Sequence, residues 1–210
     1  MVSLDPAMGT GGDFAAIQVF ELPTFEQVGE WHHNTTPMNQ QIRILQGINK
    51  HIYDTIMEQD ASASPQIFYS MENNTIGEAA LLRVMDIGEE NIQGMFLSEP
   101  IRKGHRRKFR RGFNTTAKFK IDACTKFKEL IEGGKMKINS QLLISELKDF
   151  VASGLSFKAK PGQHDDLVSA CLLMTRMMKV LADFDPKIFE KWTDRTSELT
   201  PMPIFGSFTG

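Results

Sequence analysis

Residues Val2–Phe20 read VSLDPAMGTGGDFAAIQVF. A short apolar run ends on an acid, Asp5. Three glycines follow, Gly9, Gly11 and Gly12, then a second acid, Asp13, and then another apolar run. The simplest reading is two strands joined by a glycine-rich turn. That reading does not say why a buried strand should end on a carboxylate. Asp5 either begins a turn with Pro6 or holds a metal ion, and the choice depends on whether other carboxylates meet it.

Working outward, the segment FAAIQVFEL predicts the second strand and Phe25 to about Asn34 a third. Ile42, Leu45, Ile48, Ile52 and Ile56 recur at a helical period over 39–59, and Pro37 stands just ahead, where helix starts allow it. QIFYS is a short buried strand, TIGEAALLRVMD a helix that stops near Gly88, and IQGMFL another strand. The basic stretch after it has few apolar residues and predicts a loop or hairpin. TAKFKIDACTKFKELIEGG is a helix closed by Gly133 and Gly134. KMKI is a brief strand or extended segment. SQLLISELKDFV is an amphipathic helix over 140–151 with Ser140 as its N-cap, and LSFKAKPG is extended. DDLVSACLLMTRMMKVLADF is a long helix, apolar almost all round and hence buried on most faces. Its methionines are core. Residues 1–185 are expected to form one domain, and 186–210, with Pro186, Pro201 and Pro203, a loose C-terminal tail. Antiparallel strands first and strand–helix alternation later imply an α/β protein with a mixed central sheet flanked by helices. An RNase H-like fold, of the resolvase and integrase type, has this order.

The 210 residues, 41% hydrophobic and 24% charged, fit an ordinary globular domain. No apolar run reaches the roughly 20 residues of a membrane span, so no membrane partner is expected. The N-terminus lacks the basic start and long apolar core of a signal peptide, and the chain reads as an excised domain. Cys124 and Cys171 lie far apart, without metal-ligand spacing, and read as reduced thiols of an intracellular protein. The net charge of −2 hides a segregation: residues 102–137 hold thirteen Lys/Arg against three Asp/Glu, a local +10, which leaves −12 for the remainder. One face therefore suits an anionic partner.

Three acidic positions stand at the ends of predicted elements. Asp5 follows VSL, Glu72 follows the QIFYS strand, and Asp165 and Asp166 begin the long helix. Parallel neighbouring strands end on the same edge of a sheet, and a helix packed on that sheet can start there. Singly, each acid has an ordinary use: a turn, a solvated loop position, or a helix cap for Asp165 or Asp166. Gathered together they repel and call for a cation. Mg²⁺ or Mn²⁺ takes oxygen ligands, and two such ions can clamp an in-line phosphoryl displacement. The glycines of the first turn would let a phosphate backbone approach. Asp13 is either an acid supporting the ligands from behind or a turn residue. His164 either orients a water or the scissile phosphate, or makes a structural hydrogen bond. His32, His33, His51 and His105 show no ligand spacing, so zinc is not expected.

At LDPAMGTGGDFAAIQVF, YSMENNTIGEA and PGQHDDLVSA, the chain resembles the C-terminal nuclease domain of a tailed-phage (T4-like) large terminase, a DNA-packaging motor protein. The resemblance runs from Val2 to about Leu181. It implies an RNase H-like nuclease that cuts concatemeric viral DNA with a metal-bound Asp, Glu and Asp. Carried over, these are Asp5, Glu72 and Asp166, with Asp165 assisting. It also implies an N-terminal ATPase domain, portal and small terminase as partners, and the host cytoplasm as location. No G-x-x-x-x-G-K-[ST] is present, so no ATP site is expected in this chain.

Arg102, Lys103, Arg106, Arg107, Lys108, Arg110 and Arg111, continued by Lys118 and Lys120 on the following helix, form the expected contact with double-stranded DNA. Sparse aromatic interleaving disfavours a single-strand stacking platform and favours backbone contact without base reading. Lys158 and Lys160 extend the track. Two other readings compete: another RNase H-like nuclease such as a Holliday-junction resolvase, and a non-catalytic DNA-binding or portal-docking module. A sugar-kinase or actin-like ATPase, which also opens on an Asp and a glycine-rich turn, needs a longer chain.

Overall fold

The computed structural model describes residues 1–100, 111–154 and 156–184. Five strands, β1 (Val2–Asp5), β2 (Ala15–Phe20), β3 (Gln27–His33), β4 (Phe68–Met71) and β5 (Met95–Phe96), form one sheet in the order β3-β2-β1-β4-β5. β1–β2 and β2–β3 pair antiparallel, whereas β1–β4 and β4–β5 pair parallel. The mixed RNase H-like sheet expected from the element order is the one observed.

Side-chain alternation along the strands divides the core in two. Val2, Leu4, Ile17, Val19, Tyr69 and Met71 face α1 (Met38–Gln59) and α2 (Thr75–Ile87), where they meet Ile42, Leu45, Ala80 and Val84. Ala16, Phe20 and Phe68 face α3 (Ala117–Glu132), α4 (Gln141–Asp149) and α5 (Asp166–Phe184). The apolar run of α5 is buried as expected: Leu167, Val168, Ala170, Cys171, Met174 and Met177 are all enclosed. It lies across β1 and β2, and the hydroxyl of Ser3 donates to the carbonyl of Ala170 at 2.8 Å. Both thiols are free and buried, and burial pushes Cys124 up to about 11, so neither is a nucleophile.

Two elements differ from the sequence reading: of IQGMFL only Met95–Phe96 is strand, and a helix ends early. The helix expected over 140–151 stops at Asp149, and Phe150 and Val151 enter β6 (Phe150–Ser153), which pairs antiparallel with β7 (Ser156–Ala159). Phe150 stacks on Phe157 across this hairpin, 6.1 Å between ring centres, and Gly154 turns the chain at φ +61°. Cross-strand aromatic pairing outweighs the helical continuation that amphipathicity suggests. Ser140 caps α4 as expected, its hydroxyl accepting from the Leu143 amide at 3.0 Å. KMKI is extended and contributes an isolated bridge from Lys137 to Glu26.

The core of the basic stretch, with Arg102, Lys103, Arg106, Arg107, Lys108 and Arg110, lies outside the described residues, as does the C-terminal tail. Its flanks are firmly tied. The Gly112 amide donates to the Ser98 hydroxyl at 3.0 Å, the Glu99 amide to the Gly112 carbonyl at 3.1 Å, and the Phe113 amide to the Met71 carbonyl at 3.2 Å. Arg176 of α5 locks this junction. It lies between the rings of Phe113 and Phe119, 5.1 and 5.0 Å from their centres, pairs with Glu99, and donates to the Asn114 carbonyl at 3.0 Å. Its side chain is only 11% exposed. Replacing Arg176 with Leu strands Glu99 and the Asn114 carbonyl, and should cost about 2–3 kcal/mol in urea unfolding. The exposed Lys128–Glu132 pair should give no measurable change when Lys128 is replaced.

Candidate metal centre

The parallel register sets Val2 opposite Tyr69, Ser3 opposite Ser70 and Leu4 opposite Met71. The Glu72 amide continues the ladder by donating to the Leu4 carbonyl at 3.1 Å. Asp5 and Glu72 are therefore neighbours, both on the α5 side of the sheet because Leu4 and Met71 point to the other. Burial, then Glu72, with smaller effects from Asp166 and Asp165, pushes Asp5 well above the usual carboxylate range.

A tight connection from β4 into α2 holds Glu72. Asn74 caps α2 by accepting from the Gly77 amide at 2.8 Å, and its side-chain NH₂ donates to Glu72 Oε2 at 3.1 Å. Gly77 has no alternative: a Cβ there would stand 1.8 Å from the Glu72 carbonyl oxygen. In the first turn, Gly9 serves packing in a similar way. A Cβ would meet the Thr36 carbonyl at 2.3 Å, with φ already at +71°. The backbone of the β3–α1 connection thus accounts for Gly9.

α5 brings the remaining acids. Asp166 Oδ2 accepts from the Phe14 amide at 3.3 Å and lies 3.5 Å from His164 Nδ1. Burial pushes Asp166 up to about 6, aided by Asp165 and Asp13 and opposed by the Phe14 amide and His164. Asp165 accepts from the Ala159 amide at 3.3 Å and lies 3.5 Å from Lys120 Nζ, which also sits 5.5 Å above the Phe150 ring. Lys120, expected as a DNA contact, is thus engaged with an acid of the cluster. Arg111 pairs with Glu89, while Lys118 is exposed. Asp13 is exposed and acts on Asp166 through its charge.

Two residues of this region escaped the sequence reading. Glu146, on α4, accepts from the Val168 amide at 3.1 Å, and burial pushes it up to about 7. His32 faces it, 3.8 Å from Nε2 to Oε1, and stacks on Phe14 with 4.1 Å between ring centres. Burial holds His32 below its usual range. Neither carries a motif. Glu146 looks like a polar position of an amphipathic helix, and its partner amide is 22 residues away.

Among the described residues, no three His, Cys, Asp or Glu side chains already close round a point as a cage for an ion. The donor chemistry nevertheless fits a hard divalent cation. Asp5, Glu72, Asp165 and Asp166 supply carboxylate oxygens, and each of the last three acts with burial to push Asp5 above the usual carboxylate range, a repulsion that a cation would relieve.

The family described as the terminase RNaseH-like domain matches residues 2–177, and the chain belongs to it. Among solved structures, the large terminase nuclease of thermophilic phage G20c with bound cobalt superposes with a TM-score of 0.55 at 15% identity, covering 83% of this chain and 79% of that one. Its magnesium-bound form gives 0.54 at 15%, covering 84% and 80%. The human cytomegalovirus terminase nuclease domain, manganese-soaked and inhibitor-bound, gives 0.54 at 16%, covering 84% and 80%. At these identities the likeness establishes the fold.

The raised carboxyls make a pH prediction. A group whose folded pKa exceeds its unfolded one holds its proton longer in the folded state, so folding loses stability as pH rises between the two values. For Asp166 that window runs from its ordinary 3.8 to about 6. Asp166→Asn keeps an acceptor for the Phe14 amide and removes the titration. Without metal, the variant should melt increasingly above wild type as pH rises from 4 to 7. A difference independent of pH would mean that Asp166 is not strained in the fold.

Proposed function

We propose that this member of the terminase RNase H-like family is a metal-dependent endonuclease that cuts double-stranded, concatemeric viral DNA, with little sequence preference, during genome packaging. The observation that carries the reading is the in-register pairing of β1 with β4. It sets Asp5 beside Glu72 at the edge where Asp165 and Asp166 start α5. Asp5, Glu72 and Asp166 would hold Mg²⁺ or Mn²⁺, two ions during turnover. Bound ions would activate water and stabilise the departing oxygen. Asp166 fits better than Asp165 as the direct ligand, because it acts more strongly on Asp5 and because Lys120 already engages Asp165.

The chain's own residues do the positioning. The Phe14 amide and His164 hold Asp166, and Asn74 holds Glu72. Lys120 places a positive charge at the cluster's rim, where it can shift from Asp165 to a phosphate. His164 is half exposed and can meet the scissile phosphate or a water. The flanks of the basic stretch are bonded beside Glu72: the Asn73 amide donates to the Phe113 carbonyl at 2.7 Å, and the Asn73 side chain to the Arg111 carbonyl at 2.7 Å. The described residues on either side of 101–110 are thus bonded next to the carboxylates, and the arginines and lysines of that stretch would grip the DNA backbone. Such a nuclease would work in the host cytoplasm, joined to an ATPase domain and docked with portal and small terminase.

Purified protein should nick and linearise plasmid with Mg²⁺ or Mn²⁺ and leave it intact in EDTA. Asp5→Asn, Glu72→Gln and Asp166→Asn should each lower cleavage at least a hundredfold while remaining folded by circular dichroism. Cleavage in EDTA, or active variants, would refute the reading. Preference for four-way junctions over linear duplex would move it to a resolvase.

Charge reversal in the basic stretch, Arg106→Glu with Arg110→Glu, should weaken DNA binding and flatten its salt dependence. Each lost phosphate contact removes about 0.9 from the slope of log K against log salt. Fluorescence anisotropy with a labelled duplex checks this, and an unchanged slope would place the DNA path elsewhere.

A further inference from the structure

The start of α5 has a need that is met from an unexpected place. A helix leaves its first N–H groups without intrahelical partners. The residue at the N-cap ordinarily takes the amides two and three positions on. Asp165 occupies the N-cap here, since its carbonyl accepts from the Ser169 amide at 2.8 Å and α5 begins at Asp166. Aspartate is among the preferred capping residues. Yet its side chain turns away, to the Ala159 amide and Lys120. The Val168 amide, one of the two that an N-cap aspartate would take, is held instead by Glu146 from the middle of α4 at 3.1 Å. Glu146 is only 11% exposed, and its other oxygen faces His32. His32 in turn stacks on Phe14, whose amide holds Asp166. Glu146, the start of α5, Asp166, Phe14 and His32 form a closed ring of contacts.

We infer that Glu146 is a positioning residue that caps α5 from α4, so that Asp165 and Asp166 stay turned toward Asp5 and Glu72. A carboxylate supplied from another helix releases the local one. Without it, Asp165, as the N-cap residue, is the local acceptor for the opened Val168 amide and swings onto it. It then leaves Lys120 and Ala159 and strips one acid from the cluster. The consequence for metal rests on the nuclease reading given above. The cap itself does not.

Two substitutions separate reach from charge. Glu146→Asp keeps the charge but is one methylene too short. Glu146→Gln keeps the length and an acceptor oxygen but is neutral. Mn²⁺ affinity by calorimetry and amide exchange at Ala159 by NMR are read on the full 210-residue chain, with thermal melts to confirm folding. Glu146→Asp should bind Mn²⁺ at least tenfold more weakly, the range expected when the support behind a metal ligand is lost. Its Ala159 amide should exchange at least tenfold faster. Glu146→Gln should stay within about threefold of wild type in both. Unchanged affinity and exchange in Glu146→Asp overturn the inference. So does a Gln variant that loses Mn²⁺ as the Asp variant does, because the charge and not the cap would then matter. If wild type neither binds Mn²⁺ nor cuts DNA, the nuclease reading fails, and exchange at Ala159 alone decides the cap.

Discussion

Everything at the carboxylate edge depends on one pairing, β1 parallel to β4 with Leu4 opposite Met71. A slip of one residue in a strand turns its whole side-chain set to the other face. Here it would drive Glu72 into the α1–α2 core and Tyr69 out of it. The register is fixed because each strand has a buried face on both sides: Val2, Leu4, Tyr69 and Met71 on one, Ser3, Ser70 and Phe68 on the other. Even the small polar residues are tied, Ser3 to Ala170 and Ser70 to Leu97. The apolar pattern that builds the sheet therefore also decides where the acids point.

Placing acids at such an edge is costly, because each loses hydration and faces others of its kind. The structure offsets this cost locally rather than avoiding it. Asn74 and the Phe14 amide donate to Glu72 and Asp166, and Lys120 lies beside Asp165, while burial and its neighbours push Asp5 above the usual carboxylate range. α5 supplies both the largest share of the second core and two of the four acids. Its apolar body anchors its charged end, so the position of Asp166 is set by packing along the helix as much as by contacts at its start.

Much of this was legible in the sequence, for reasons specific to the residues concerned. The runs VSLD, AAIQVF and FYSM are short, apolar and bounded by turn residues, and α5 is too apolar to be anything but buried. Asp5, Glu72 and the Asp165–Asp166 pair could be read because each ends or begins such an element. What could not be read depends on contacts between distant segments. Phe150 leaves its helix because Phe157 stacks on it. Glu146 matters because α4 crosses the start of α5. The sequence shows Gly77 only as part of a helix and Gly9 only as part of a turn open to phosphate, yet each is required by a nearby backbone carbonyl. Arg176, amid the methionines of α5, gave no sign that it would lock the flanks of the basic stretch.

The charge segregation of the chain bears on how a polyanion could reach such an edge. Two unit charges 4 Å apart interact by about 1 kcal/mol in water and about 4 kcal/mol near a protein surface. A phosphate set against Asp5, Glu72, Asp165 and Asp166 would meet that repulsion from several sides. Lys120 is a cation fixed at the cluster, and it is already engaged by Asp165. The flanks of the basic stretch are bonded to the strand that ends at Glu72. On the proposed function, attraction by that stretch would bring DNA toward the repulsive centre but could not cancel the repulsion within it. Divalent cations at the carboxylates would do so, and a bound phosphate would in turn supply oxygens to those cations. By linkage each must then tighten the other. On the proposed function, ion and DNA bind cooperatively, because the protein presents the four acids together and leaves the compensating charge to its ligands.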